Sequence, residues 1–380
     1  MPSRNPPRVR IAVVGAGTIT QSAHLPALAR LADRFELVAI CDLSPSRAAT
    51  VARRAGADVR ASSSFEQIVG APEIDAVLLA TPGGHAPMTS VALAAGKHVL
   101  AEKPLCLTVA EADQLTALAA RQDRVLQVGY MKMYDPLVRA ARIELGRLEG
   151  VRLIEITVAH PRDEAQTGHL RLVAGSDVDE SVLEAAAAAE RDRTREALGD
   201  VPDAFGSLYR DVLLGSVVHE LSLLRGVGIP LPERFDSAVA WPWPVAVPSV
   251  LATATIGAAR LVLSWLWLPD YPAYSEQLRV FAGNGGLTLE IAPPYVVDAS
   301  STLRFAHSDG ELHGETTLVA GPESGFVHQL EAFADVISGR DELVSDAAGA
   351  AADTRSMQAL VRAIAAGQGI AVGGEAGAAT

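Results

Sequence analysis

The order of apolar and polar positions divides the chain into two unlike parts. Over the first 130 residues, short apolar runs rich in β-branched residues alternate with segments of helical period, the pattern of a parallel sheet wrapped by helices. Strands are predicted at Val9 to Val14, Glu36 to Cys41, Asp75 to Ala80, His98 to Ala101 and Val125 to Val128. Helices fit between them at Thr20 to Ala32, Ser44 to Ala55, Phe65 to Val69, Pro87 to Ala95 and Thr108 to Arg121. Ser44 before Pro45 is a cap followed by a first-turn proline, and Thr108 with Glu111 three residues on is a capping box.

Beyond Val128 the pattern changes. A helix from Leu137 to Leu145 leads to a strand at Val151 to Ala159, and a polar, Ala-rich stretch runs from Arg162 to Leu198. Its centre has strong helix formers with opposite charges three or four apart, so it reads as a helical excursion that narrows the substrate pocket, or else as a charged linker. From Phe235 to Thr317, strand-like runs separated by Pro, Gly and the Asn284-Gly285-Gly286 signal predict an antiparallel sheet. Helices at Gly325 to Ile337 and Asp346 to Ala366 follow, and the Ala/Gly-rich end after Gly367 is expected to fray.

Composition narrows the function classes. A chain of 380 residues, 49% hydrophobic and 20% charged, can bury two domain cores and is not disordered. With 32 basic against 45 acidic residues, net −13, it is poorly suited to grip a phosphate backbone, so no nucleic-acid partner is expected. Two cysteines, Cys41 and Cys106, make no disulfide framework and no four-thiolate metal site. The polar, proline-broken start lacks an apolar signal core, and no apolar run approaches the ~18 residues of a membrane span. A soluble cytoplasmic protein is the expectation.

The candidate chemistry begins at Val13-Val14-Gly15-Ala16-Gly17-Thr18-Ile19-Thr20, a Gly-x-Gly turn between a strand and a helix. Gly15 would permit the tight turn, and Gly17 would let a pyrophosphate approach the N–H groups at the helix start, where Thr18 and Ile19 stand. Thr20 replaces the third small residue, which predicts slightly looser packing of helix on strand. Asp42 ends the second strand, where a carboxylate accepts from adenosine ribose hydroxyls and repels a 2′-phosphate; this favours NAD. Arg47, one turn further, is either solvated or a partner for a 2′-phosphate, which keeps NADP open.

The segment Ala94-Ala95-Gly96-Lys97-His98-Val99-Leu100-Ala101-Glu102-Lys103-Pro104-Leu105 closely resembles the signature of the glucose–fructose oxidoreductase, inositol dehydrogenase and rhizopine catabolism (Gfo/Idh/MocA) family of NAD(P)-dependent oxidoreductases. Thr81-Pro82 with His85, Gly129-Tyr130 with Tyr134-Asp135-Pro136, and Phe333-Ala334-Asp335 extend the resemblance over nearly the whole chain. It implies an α/β fold: an N-terminal Rossmann dinucleotide-binding domain (1–130), then a C-terminal α+β domain (131–380) with a large, mostly antiparallel open-faced sheet and a helical insertion at 162–198. It further implies Lys103 as catalytic acid/base, Thr81, Pro82, His85, Glu102 and Lys103 along the cofactor, and a homodimer or homotetramer joined through the open sheet face.

Chemistry independent of the resemblance also favours Lys103. Oxidising a secondary alcohol needs a proton acceptor beside the nicotinamide, and Lys103 lies just past a strand at the sheet's carboxyl edge, where partial burial would disfavour its charged form. The family's Asp-x-x-x-His pair aligns with Gly215 to His219, so His219 is kept while Gly215 stands in the aspartate position; Asp211 and Tyr209 are the local substitutes. His219 is either the catalytic partner or a core histidine bonded inside its helix. Lys132, after the sixth strand, either binds substrate hydroxyls or is a solvated loop lysine, and Tyr209 is a further substrate-binding candidate. Trp241, Trp243, Trp265 and Trp267 serve sheet packing or sugar stacking. No metal site is expected: a helical His-Glu-x-x-His motif would need histidine at Leu223. The expected activity is NAD(P)-dependent oxidoreduction of a sugar, cyclitol or sugar-derived polyol. The alternatives are an NADPH-dependent ketosugar reductase and a non-catalytic dinucleotide-binding regulator.

Overall fold

The computed structural model describes residues 7–296, 299–308 and 310–378. Residues 1–6, at the polar start, and 379–380, at the end expected to fray, lie outside the described residues, as do 297, 298 and 309 in the stretch read as strands.

Six parallel strands form the first sheet: β1 (Val9–Val14), β2 (Phe35–Cys41), β3 (Arg60–Ser62), β4 (Ala76–Leu79), β5 (His98–Glu102) and β6 (Leu126–Gly129). Their order is β3-β2-β1-β4-β5-β6. The chain steps outward from β1 through β2 to β3, then returns to the other side of β1 with β4. This reversal opens a crevice at the carboxyl ends of β1 and β4, the place where open α/β sheets receive ligands. β3, too short and polar to show as an apolar run, is the one strand of this sheet that periodicity did not predict. Both caps read from sequence form: Ser44 Oγ accepts from Arg47 N, and Thr108 and Glu111 make the full capping box.

The second sheet has eight strands: β7 (Leu153–His160), β8 (Ser237–Trp241), β9 (Ser249–Ile256), β10 (Ala259–Trp267), β11 (Ser275–Ala282), β12 (Gly285–Glu290), β13 (Thr302–Ser308) and β14 (His313–Val319). In the order β14-β13-β12-β11-β7-β10-β9-β8, only the β7–β10 pair is parallel. Ile156, Leu263 and Ala252 point to one face, where they pack with Leu213, Leu221 and Leu360 from helices. The opposite face leaves Val239, Trp241, Leu251 and Phe281 exposed.

Packing does not follow chain order at the C-terminus. The Gly325–Ile337 helix puts Phe326, Leu330 and Phe333 into one core with Ile11, Val13 and Leu78 of the first sheet. Residues 374–378, within the end expected to fray, are ordered instead. Gly374–Ala378 is helical, and the Glu375 carboxylate accepts from Val109 N at 2.7 Å and Ala110 N at 2.9 Å. A carboxylate on the unpaired donors of a helix start is favourable enough to hold this segment down.

The 162–198 stretch takes the helical reading over the linker one: Glu180–Leu198 is a 19-residue helix capped by Asp179, with only Thr194, Ala197 and Leu198 buried. Asp163, at the start of this stretch, lies near enough to Lys103 to act on its charge, while the stretch beyond takes another route. The segment before the helix bonds to Gln21, Ser44, Ser46 and Arg54, and Glu190 accepts from Gly84 N at 3.1 Å. It runs along the Gly-x-Gly edge of the first sheet because the donors at helix starts there match its carboxylates and carbonyls.

Candidate active site

Gly15 follows β1 with φ +93°, and a Cβ on it would stand 2.5 Å from the Ala80 carbonyl oxygen, so β1 and the end of β4 approach as only glycine allows. At Gly17 a Cβ would meet nothing within 4 Å: its space is open to a ligand. Thr18 is exposed, and Ile19 is already helical with φ −63° and ψ −37°. Thr20 is fully buried, and its hydroxyl donates to Gly15 O at 2.5 Å. The helix accommodates it by winding Thr20–His24 as a π turn before Leu25–Arg30. Thr20 therefore ties helix to turn, where looser packing was expected.

Asp42, 5% exposed at the end of β2, accepts from Ala16 N, Ser44 N and Arg47 Nη2, each at 2.8 Å. The group read as a ribose acceptor and the group read as solvated or phosphate-binding are thus paired with each other.

β5 delivers Glu102, Lys103 and Pro104, with a cis bond between the last two. Glu102 is buried; its carboxylate accepts from His24 Nε2 at 2.9 Å and from Lys103 N at 3.2 Å. Burial alone would raise its pKa, but His24 and the neighbouring cations outweigh burial and hold it below the usual carboxylate range. His85 is also buried, with Nδ1 2.9 Å from Pro104 O and its main-chain N–H on Pro104 O and Leu105 O. His85 and Glu102, expected along the cofactor, brace the loop that carries Lys103. Thr81 and Pro82 remain at the crevice edge, partly and fully exposed.

Lys103 Nζ donates to Gly215 O at 2.5 Å. The carbonyl is within reach because Leu208–Val217 is wound as a π-helix, a form concentrated at functional sites. Burial pulls the Lys103 ammonium below its ordinary range, and Lys132 adds to this while Glu102 opposes it. His219 follows in the Val218–Val227 helix; its Nδ1 is buried with no partner, which removes the reading of a histidine bonded inside its helix. Burial, with Lys132, Lys103 and His160 nearby, holds its pKa well below the usual value, so the imidazole is neutral.

Two expected substrate contacts are corrected. Lys132 is neither solvated nor open to a hydroxyl: at 3% exposure its Nζ lies 2.6 Å from Glu276 and 3.2 Å from Glu220. Tyr209 is fully buried and donates its hydroxyl to Leu107 O at 2.7 Å, in the core away from Lys103. Asp211 is exposed and does not replace the missing aspartate.

Sequence reasoning missed Glu220, Glu276, Tyr274 and His160. Tyr274 donates to Glu276 at 2.6 Å, and the His160 ring packs against Trp265, Trp267 and Tyr274. The strand alternation held a signal for Glu276, which occupies a core-facing position with Leu278 and Val280. Trp265 is buried and donates to Ser216 Oγ at 3.0 Å, so it packs the sheet against the π-helix.

Residues 9–130 match the oxidoreductase family with an NAD-binding Rossmann fold, Gfo/Idh/MocA. The match covers the first domain alone and shows it to have the NAD-binding Rossmann fold of that family's model. Inositol 2-dehydrogenase 3 of Saccharopolyspora erythraea is 40% identical over 134 residues, 33% of this chain and 37% of the relative. The dTDP-3,4-didehydro-2,6-dideoxy-alpha-D-glucose 3-reductase of Saccharopolyspora spinosa is 35% identical over 127 residues, again 33% and 37%. The chain thus spans little more than a third of these curated relatives. Solved structures extend the likeness in fold. A 3-ketoreductase from Actinomadura kijaniata, in complex with TDP-benzene and NADP, superposes with a TM-score of 0.66 at 21% identity, covering 94% of this chain and 97% of that one. The UDP-N-acetylglucosamine 3-dehydrogenase of Acidithiobacillus ferrooxidans does so at 0.68 and 18%, covering 95% and 99%. The two-sheet fold of these solved structures is therefore present in this chain.

Proposed function

We propose that this chain is an NAD(P)-dependent oxidoreductase that moves hydride between the nicotinamide and a CH–OH carbon of a sugar, cyclitol or sugar-derived polyol. The observation that carries the reading is Lys103, half-buried beyond β5 at the ligand-receiving edge and bonded to Gly215 O, with the His219 imidazole near enough to feel its charge. The inositol dehydrogenases and dTDP-sugar reductase among its relatives support that substrate class.

Residues 1–130 hold the dinucleotide and residues 131–380 the substrate. The open space at Gly17 fits a pyrophosphate beside Gly15, Thr18 and Ile19, with Asp42 and Arg47 toward the adenosine ribose and Thr81 and Pro82 along the edge. When bound, the nicotinamide supplies the two-electron acceptor, or the donor in the reverse reaction. Lys103 accepts the hydroxyl proton, for which burial prepares it by disfavouring the ammonium form. Neutral His219, partly exposed, stands near the same hydroxyl and orients it. Lys132 acts through Glu220 and Glu276, which it holds in place. The ketosugar reductase with NADPH is the same arrangement run backwards, and Gly215 in the aspartate position is the feature that favours a regulator instead. We read the protein as cytoplasmic, assembled as a homodimer or homotetramer.

A screen of sugars, cyclitols and polyols with NAD and NADP in parallel tests the activity. On a confirmed substrate, Lys103→Ala should lose ~10²- to 10⁴-fold in turnover while its affinity for the dinucleotide is retained. Full activity in that variant would end the assignment, and dinucleotide binding without turnover on any substrate would favour the regulator.

A further inference from the structure

The adenosine end of the Gly-x-Gly crevice carries a piece of this chain. Residues 171–177, between the second sheet's first strand and the Glu180–Leu198 helix, lie against it without regular secondary structure. Val173 donates to Gln21 Oε1 at 2.7 Å and accepts from Gln21 Nε2 at 3.0 Å, while Arg54 donates to Arg171 O at 3.0 Å. Gly175 lies so close that a Cβ on it would be 2.7 Å from the Ser44 side chain and 3.1 Å from the Arg47 guanidinium carbon. Asp177 completes the seat. Its Oδ2 accepts from Ser46 N at 2.9 Å, and its Oδ1 takes the Ser44 hydroxyl. These bonds, the Ser44 hydroxyl first and Ser46 next, hold the Asp177 pKa down at about 2, so the carboxylate is charged at every working pH.

The groups that Asp177 occupies have a definite chemistry. A cap hydroxyl and a first-turn N–H at the start of the 11-residue Pro45–Ala55 helix, beside an arginine, form a donor set suited to a phosphate ester. Asp42, which receives ribose hydroxyls in the reading above, is 2.8 Å from that same arginine. We propose that Asp177 is a specificity-determining residue: it holds the donors that a 2′-phosphate would require, and so selects NAD(H) over NADP(H). This rests on the dinucleotide-binding reading of the crevice. A 2′-hydroxyl needs none of the groups Asp177 holds. A 2′-phosphate, carrying about −1.5 to −2 charges, would have to expel Asp177 or sit against it, and would also compete with Asp42 for Arg47.

Titrating the full chain with NADH and NADPH, followed by nicotinamide fluorescence, tests this in the unmodified protein, Asp177→Ala and Asp177→Asn. The unmodified protein should bind NADH more tightly. Asp177→Ala should strengthen NADPH binding by about tenfold and change NADH by less than about threefold, because one charged competitor for two hydrogen bonds is gone. Asp177→Asn, equal in size and uncharged, should move the ratio in the same direction. An unchanged ratio in both variants overturns the proposal, as does equal tightening of both ligands, which would make residues 171–177 a general cover. If the unmodified protein binds neither ligand, the dinucleotide reading itself is what fails.

Discussion

Lys132 sits between Glu220 and Glu276 where water does not reach, so one cation answers two carboxylates. Burial opposes its ammonium, but the two carboxylates outweigh burial and raise its pKa. The surplus negative charge falls on Glu220, which burial, with Glu276 beside it, pushes up to about 8. Removing the cation leaves Glu276 without its buried partner, and breaking a buried pair from one side typically costs about 3–5 kcal/mol. Lys132→Met should accordingly lower the urea midpoint at pH 7 well beyond the effect of a surface substitution; an unchanged midpoint would mean that water reaches the cluster. The pH dependence has a definite sign. The Glu220 pKa rises from 4.5 to about 8 on folding, so the folded chain keeps a proton that the unfolded chain releases. Its stabilising contribution is complete below about pH 4.5 and is lost as pH rises through about 8. Unfolding curves at pH 6 and 8.5 should show this loss, and Glu220→Gln should reduce it.

At the scale of elements, two departures from regular helix shape the site. The π winding of Leu208–Val217 directs the Gly215 carbonyl to Lys103 and turns Tyr209 into the core. An i, i+4 alignment from 215 to 219 assumes α geometry, which the π winding of Leu208–Val217 interrupts. A Cβ on Gly215 would lie 3.2 Å from Arg210 O, so restoring aspartate there also demands a local shift. The second departure is the terminal Gly374–Ala378 helix, whose Glu375 caps the Val109–Gln122 helix and accepts from Gln358 at 2.6 Å. Glu375→Ala should cost about 0.5–2 kcal/mol, the usual value of a lost helix cap, measured by chemical denaturation. No change in that measurement would mean that the tail is free in solution. Ser44 and Thr108 were legible as caps because their partners lie within three residues; Glu375 was not, because its partner helix begins 266 residues earlier.

For the molecule as a whole, the eight-stranded sheet has a face covered by helices and a bare one. Val239 and Leu251 are directly paired across β8 and β9 on the bare face, with Trp241 and Phe281 also exposed there. The exposed apolar residues on β8 and β9 fit the proposed assembly, in which a second copy of the same sheet would cover them. Sedimentation at micromolar concentration should find a dimer or tetramer, and Trp241→Asp combined with Leu251→Asp should give monomer that remains folded. A monomeric unmodified protein would refute the assembly.

Local rules in the sequence determined the six-residue run of β1, the Gly-x-Gly turn, both side-chain caps and the place of Lys103 after β5, since each depends on neighbours within a few positions. The strand alternation likewise carried the two faces of the second sheet. Tertiary structure alone decided the partners that meet from far along the chain: Glu276 with Lys132, Glu375 with Val109, and Asp177 with Ser44. Each is a charged or polar side chain whose apparent role, by composition, is to face solvent. Only when the fold brings unpaired donors against it does the cost of leaving those donors bare give the residue its task.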